Sequence, residues 1–167
     1  MINASIYGVL VYQSKNVVLD HLTIIDASRN SVDQGKCIDI TEESINITVS
    51  NTILGYTSPL DELIKYKGML LANFKLNSVN NVSIHHNIFY HNYQRSPEIS
   101  SEGLFDMKNN IILRYTEYGS RIRENARGNF ENNFYIGGKK DPIVFITPES
   151  GVYSINNSWK KDNCSWE

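Results

Sequence analysis

The chain has 167 residues and a formal net charge of −2, enough for one domain with a core and without the basic footprint of a nucleic-acid binder. An anionic partner would need a local basic cluster or a metal. No apolar run approaches the roughly 20 residues of a membrane span, the N-terminus lacks the basic and apolar regions of a signal peptide, and abundant Asn with scarce Ala and Leu argues against a helical protein.

In chain order, an eight-residue pattern returns six times. The copies start at Val17, Ile47, Val82, Phe105, Gly128 and Tyr153, with spacings of 30, 35, 23, 23 and 25 residues. A period near 23 with two early insertions accounts for them. The first and third places are apolar in most copies, as in a strand with one buried face. The fifth place holds His21, Asn51, His86, Asn109, Asn132 and Asn157. Amides recurring at one place in stacked units form a hydrogen-bonded ladder and satisfy the backbone at a bend. The sixth place often repeats the Asn, so the inward member of the pair is left open. His21 is expected in the ladder, as is His86. His85, its neighbour on the strand, is expected to face outward.

Further short strands are expected at Gly8 to Tyr12, Cys37 to Thr41, Gly68 to Asn73 and Ile143 to Thr147, and one helix-like stretch over Ser58 to Tyr66. Two or three strands per period describe an all-β parallel β-helix of about 6–7 coils. The domain is expected over residues 1–160, with a polar tail at 161–167. Strand-like sequence begins almost at Met1, which suggests missing N-terminal coils, supplied by the full-length protein unless the chain works as a monomer. Cys37 and Cys164 show no metal-type spacing and are expected to be free thiols.

Several segments resemble the pectate lyase family, from about Gly8 to Gly138. Asn16-Val17-Val18-Leu19-Asp20-His21 is similar to the family's Asp-His strand motif. Val82 to Phe89, followed by Gln94-Arg95-Ser96-Pro97, looks like its strand and Arg-x-Pro loop. Lys67-Gly68-Met69-Leu70-Leu71 is similar to the segment carrying its substrate-binding Lys, and Asn129 to Tyr135 to the coil that follows. The resemblance implies a right-handed parallel β-helix, secretion, and β-elimination of polygalacturonate with Ca²⁺ bridging protein carboxylates to the sugar carboxylate. By the same resemblance Arg95 matches the catalytic base, Lys67 a carboxylate-binding Lys, and Asp20, Asp33 and Asp39 the calcium ligands. An Arg normally keeps its proton, so stabilising the developing charge is the more ordinary role for Arg95.

Two places depart from the family pattern. Ser100 stands where the motif ends in a second Arg, leaving Arg114, Arg121 and Arg123 as substitutes, with His85 as a further groove residue. Gly35 stands where a second acidic ligand is common. These departures motivate a rival reading, a β-helix module that binds carbohydrate or serves a structural or adhesive role. A glycoside hydrolase is disfavoured, since the chain has no adjacent Asp-Asp pair on a strand and no Gly-His-Gly segment.

Overall fold

The structure is a computed structural model that describes residues 7–27, 35–57, 66–72, 79–145 and 151–160. Its strands fall into six rungs of three. They are β1 (Tyr7–Tyr12), β2 (Lys15–Asp20) and β3 (Thr23–Ile25); β4 (Lys36–Thr41), β5 (Ile45–Ser50) and β6 (Ile53–Gly55); β7 (Lys67–Ala72), β8 (Asn80–His85) and β9 (Ile88–Tyr90). The chain continues with β10 (Glu98–Ser100), β11 (Leu104–Lys108) and β12 (Ile111–Leu113); β13 (Ser120–Arg123), β14 (Arg127–Glu131) and β15 (Phe134–Ile136); β16 (Ile143–Phe145), β17 (Gly151–Ile155) and β18 (Ser158–Lys160). The first strands of all rungs form sheet A, the second strands sheet B and the third strands sheet C, each six-stranded. Rung-to-rung pairing is parallel, for example β1 with β4, β2 with β5 and β3 with β6. This is the expected parallel β-helix. The described residues contain no helix; of the stretch expected as helix-like only Tyr66 is described, and the tail at 161–167 and Cys164 also lie outside.

Alternation along each strand sends one set of side chains inward. In-register columns fill the interior: Val11, Ile40, Leu71, Ile99 and Ile122 on sheet A; Leu19, Val49, Ile84, Met107 and Phe130 on sheet B. Sheet C adds Ile24, Leu54, Phe89, Ile112 and Tyr135. Most members of the middle rungs are fully buried, and each such side chain contributes about 1.5–3 kcal/mol. Cys37 is a free buried thiol whose pKa burial pushes up to about 12.

The eight-residue repeat is strand B, a bend and strand C. Its fifth place is a left-handed residue in every rung, from His21 (φ 53°) through Asn51, His86, Asn109 and Asn132 to Asn156 (φ 53°). Asn and His tolerate this region better than most residues. The sixth place is the one that turns inward, which corrects the expectation for the fifth. Asn87, Asn110 and Asn133 are fully buried. The Asn110 side chain donates to Ile84 O at 2.9 Å and to Asn133 Oδ1 at 2.9 Å, and its Oδ1 accepts the Asn87 backbone N–H at 2.9 Å. Thr52 extends the ladder below, its N–H donating to Asn87 Oδ1, and Asn157 extends it above, accepting from Asn133. His21 and His86 are exposed and lie outside the ladder. The last copy starts one residue earlier than the sequence pattern suggests, since Gly128 pairs with Val152 rather than Tyr153.

Candidate functional site

The outward column of sheet A runs Leu10, Asp39, Leu70, Glu98, Arg121 and Val144. Outward residues of a solenoid are normally wet, yet Asp39 and Glu98 are buried, at 5% and 2% exposure. Buried carboxylates need partners. Glu98 has four: Arg95 Nε at 2.8 Å, Arg121 Nη2 at 2.7 Å, Arg123 Nη1 at 3.8 Å, and the Tyr118 hydroxyl, which donates at 2.9 Å. The Arg95 contact is an ion pair rather than a hydrogen bond, because its Nε–H does not point along the contact. The Arg121 guanidinium also lies over the Tyr118 ring, 4.5 Å from its centre. Burial, then the Glu98 charge, pushes the Tyr118 phenol above its usual range.

A bulge aims Arg95. Lys67 bridges Gln94 and Leu70 pairs with Glu98, so four steps on one strand face three on the other. The extra residue falls between Arg95 and Pro97, and Arg95 takes a left-handed φ of 65°. Bulges re-aim side chains beside active sites. The loop presses on Gly68, where an added Cβ would meet Arg95 O at 2.6 Å and Asn92 Nδ2 at 2.9 Å. Only glycine allows that approach.

One and two rungs below lie Lys67 and Lys36, paired in register and both buried. Lys36 Nζ sits 3.0 Å from Asp39 Oδ2. Burial raises the Asp39 carboxyl pKa, opposed by Lys36 and by the Arg95 charge. Asp39 Oδ1 has no hydrogen-bond partner among the described residues. The site thus gathers five cations, Lys36, Lys67, Arg95, Arg121 and Arg123, against three carboxylates, Asp39, Glu98 and the exposed Glu124, which holds Arg123 at 3.1 Å. It is the local basic cluster that a net acidic chain needs to hold a polyanion.

The remaining sequence-derived residues are placed elsewhere. Asp20 is on sheet B, held by Ser50, Asn51 and His21, whose hydrogen bonds lower its pKa. His85 is also on sheet B, and its Nδ1 lies 3.0 Å from His86 Nδ1. The left-handed bend returns the His86 ring to the outer side, so the two adjacent imidazoles share one face. Arg114 is on the C-to-A corner, with Nη1 3.3 Å from the Tyr90 hydroxyl and 3.0 Å from His91 Nε2. Arg123 pairs in register with Ser100, so the cation absent from position 100 stands one rung further along the same face. Asp33 lies outside the described residues.

The described carboxylates fit calcium poorly. Calcium takes about 6 to 8 oxygens. Asp20 and Asp39 are on different sheets, and Lys36 holds one Asp39 oxygen. No three His, Cys, Asp or Glu side chains converge among the described residues.

Sequence reasoning missed Lys36, Glu98 and Tyr118. Glu98 carries a faint signal: it lies three residues after Arg95 and alternates with Ser100 on the outer face. Tyr118 comes from the next rung and has no local signal.

The fold and site define the class: a parallel β-helix with a cationic cluster on one sheet and its adjoining corner. The sequence profile of the pectate lyase family matches residues 2–165, and the chain belongs to that family. No curated protein and no solved structure matches the chain.

Proposed function

We propose that the protein is a polysaccharide lyase that cleaves uronic-acid polymers, polygalacturonate first among them, by β-elimination at the Arg95 corner. The observation that supports this most is the convergence of Arg95, Arg121 and Arg123 on Glu98, beside Lys36, Lys67 and Asp39. Elimination moves the proton from the carbon next to the uronate carboxylate to a base, the role the family resemblance gives Arg95, and that role needs its guanidinium neutral. Negative charge then spreads onto that carboxylate as the glycosidic oxygen leaves. Fixed cations aimed at this charge lower the barrier, and removing one such donor typically costs about 10²–10³ in rate. Arg95 is assigned to the reacting carbon, as the family resemblance has it. Arg121, Arg123 and Lys67 are assigned to the carboxylates of the bound chain. Glu98 is a positioning residue that sets the angle of three guanidiniums. Calcium enters this reading only through Asp39 Oδ1, which has no hydrogen-bond partner among the described residues. Polymeric uronans lie outside cells, so the proposal places the activity there.

The test is ultraviolet absorbance of polygalacturonate incubated with the protein, first with Ca²⁺ and then with chelator. A rise from the new carbon–carbon double bond supports elimination. Its loss on chelation assigns calcium to the reaction. No rise from folded protein on any uronan sinks the lyase reading. Tight uronan binding without turnover would favour the binding module, a reading supported by the Lys36 clasp on Asp39 and by Ser100 in place of a cation.

A further inference from the structure

Two neighbouring turns from sheet C to sheet A start in the same way. His91 follows β9 and Arg114 follows β12, and the pairing of Tyr90 with Leu113 stacks one on the other. Both are left-handed, with φ of 53°. The loops they open are tied by backbone. Thr116 and Glu117 N–H donate to Tyr93 O at 3.2 and 2.8 Å, and Ser96 N–H donates to Gly119 O at 2.7 Å. One loop carries Arg95, and the other carries Tyr118, whose hydroxyl holds Glu98. His91 and Arg114 add a side-chain tie at the root of both loops.

Arg114 Nη1 lies 3.0 Å from His91 Nε2. A guanidinium has donors only, so its N–H donates and Nε2 accepts through its lone pair. That fixes the tautomer: the imidazole is neutral, with its proton on Nδ1. An imidazolium has two N–H groups and no acceptor, so this contact exists in one protonation state alone. Tyr90 holds both partners. Its ring stacks on the His91 ring at 4.1 Å, the Arg114 guanidinium lies 5.8 Å from the ring centre, and Arg114 Nη1 is 3.3 Å from the Tyr90 hydroxyl. His91 is half-buried, and its Nδ1 has no hydrogen-bond partner among the described residues. Burial, then the Arg114 charge, lowers the His91 pKa, while the backbone of Tyr56 in the rung below acts the other way. Arg114 is the one charged group among the described residues that acts on it.

We propose that His91 and Arg114 form a proton-operated latch between the two corner loops, closed when the imidazole is neutral and open when it is protonated. The proton enters at Nε2, where it displaces the Arg114 N–H and sets two cations against each other. The guanidinium then leaves the imidazole, and the Arg114 to Gly119 loop loses this tie to the Arg95 loop. Tyr118 belongs to the released loop, so acid loosens its hold on Glu98 and, through Glu98, on the three guanidiniums. The latch is a property of the loops and stands apart from the uronan reading. Above the ordinary histidine value, about 6.5, His91 is neutral in the folded and the unfolded chain and the latch is closed. As the pH falls the unfolded chain takes the proton first, and the latch's stability is lost as the pH passes through the lower folded value.

Side-chain nitrogen NMR of the wild-type chain reads the tautomer directly. At pH 7 the His91 proton is expected on Nδ1, and the ring is expected to titrate below the ordinary histidine value; a proton on Nε2 overturns the latch. Backbone amide exchange reads the opening. Corrected for the intrinsic pH dependence of exchange, the Thr116 and Glu117 amides are expected to exchange about tenfold faster at pH 5 than at pH 7. His91→Gln keeps an oxygen acceptor for Arg114 and does not titrate, so the acid-induced increase should vanish. Arg114→Met should exchange fast at both pH values and return the His91 titration toward its ordinary value. No increase in wild type, an equal increase in His91→Gln, or an unchanged His91 titration in Arg114→Met overturns the latch, whether or not any uronan is cleaved.

Discussion

Two bends of the same coil are built under different rules. The bend from sheet B to sheet C has two residues in every rung, from Asp20 and Thr23 to Ile155 and Ser158. One is left-handed and exposed, and the next, from Thr52 to Asn157, is a ladder residue. The turn from sheet C to sheet A has ten, eleven, seven, six and six residues in successive rungs. It carries Arg95, Arg114, Tyr118 and Lys139. Stacking explains the contrast. A buried amide that donates to the rung above and accepts from the rung below cannot tolerate an inserted residue without breaking both bonds. A corner at the surface has only backbone spacing to satisfy, so its length and side chains are free to serve a ligand. The regular bend holds the solenoid together, and the irregular corner carries the chemistry.

The sharpest break of that contrast is Arg95→Ala. It should lower kcat/KM on polygalacturonate by at least about a hundredfold, while the denaturation midpoint moves little, because Arg121 still pairs with Glu98 at 2.7 Å. Loss of the fold in this variant would make Arg95 a structural anchor and erase the distinction. On the other bend, Asn110→Ala should destabilise by about 2–4 kcal/mol, since it strands the Asn87 N–H and the Ile84 carbonyl inside the core. Its neighbour provides the control. Asn109→Ala should cost only about 1–2 kcal/mol, because alanine lacks the short polar side chain that lets Asn tolerate the left-handed region, and Asn109→Gly should recover most of it. Equal midpoints for the two alanine variants in urea would contradict the assignment of the interior to the sixth place.

The same contrast explains what was legible in the sequence. Sheets B and C and the period follow from apolar alternation around the Asn pair, because every rung repeats the same local physics. Which Asn of the pair turns inward did not follow, since it depends on the sign of φ at Asn51, His86 and Asn109 rather than on residue type. The last repeat was misaligned because Val152 and Tyr153 are both apolar and serve either register. Strands β10 and β13 are only three and four residues long, too short for alternation to mark them, and Arg121 and Arg123 entered only as substitutes for the cation absent at Ser100. Arg95 and Lys67 were found by family resemblance alone. Lys36 and Glu98 were missed because their role appears only when rungs stack, placing buried charge beside buried charge.

The smallest effect tests whether the sheet A face costs stability, as a site shaped for a ligand does. Burial raises the Asp39 carboxyl pKa despite the Lys36 and Arg95 charges. The unfolded chain therefore loses this proton at lower pH than the folded chain. Below the unfolded value, about 3.9, both states are protonated and Asp39 costs nothing. As the pH rises through the unfolded and then the folded value, the unfolded state is favoured, and the loss is complete above the folded value. Asp39→Asn removes the buried charge and keeps an oxygen for Lys36 Nζ. Its midpoint should be slightly higher than wild type at pH 7, and the gap should close on approaching pH 3. A variant that is less stable at pH 7 would mean that the Lys36–Asp39 ion pair outweighs its desolvation, and this face would then belong with the scaffold rather than with the corner.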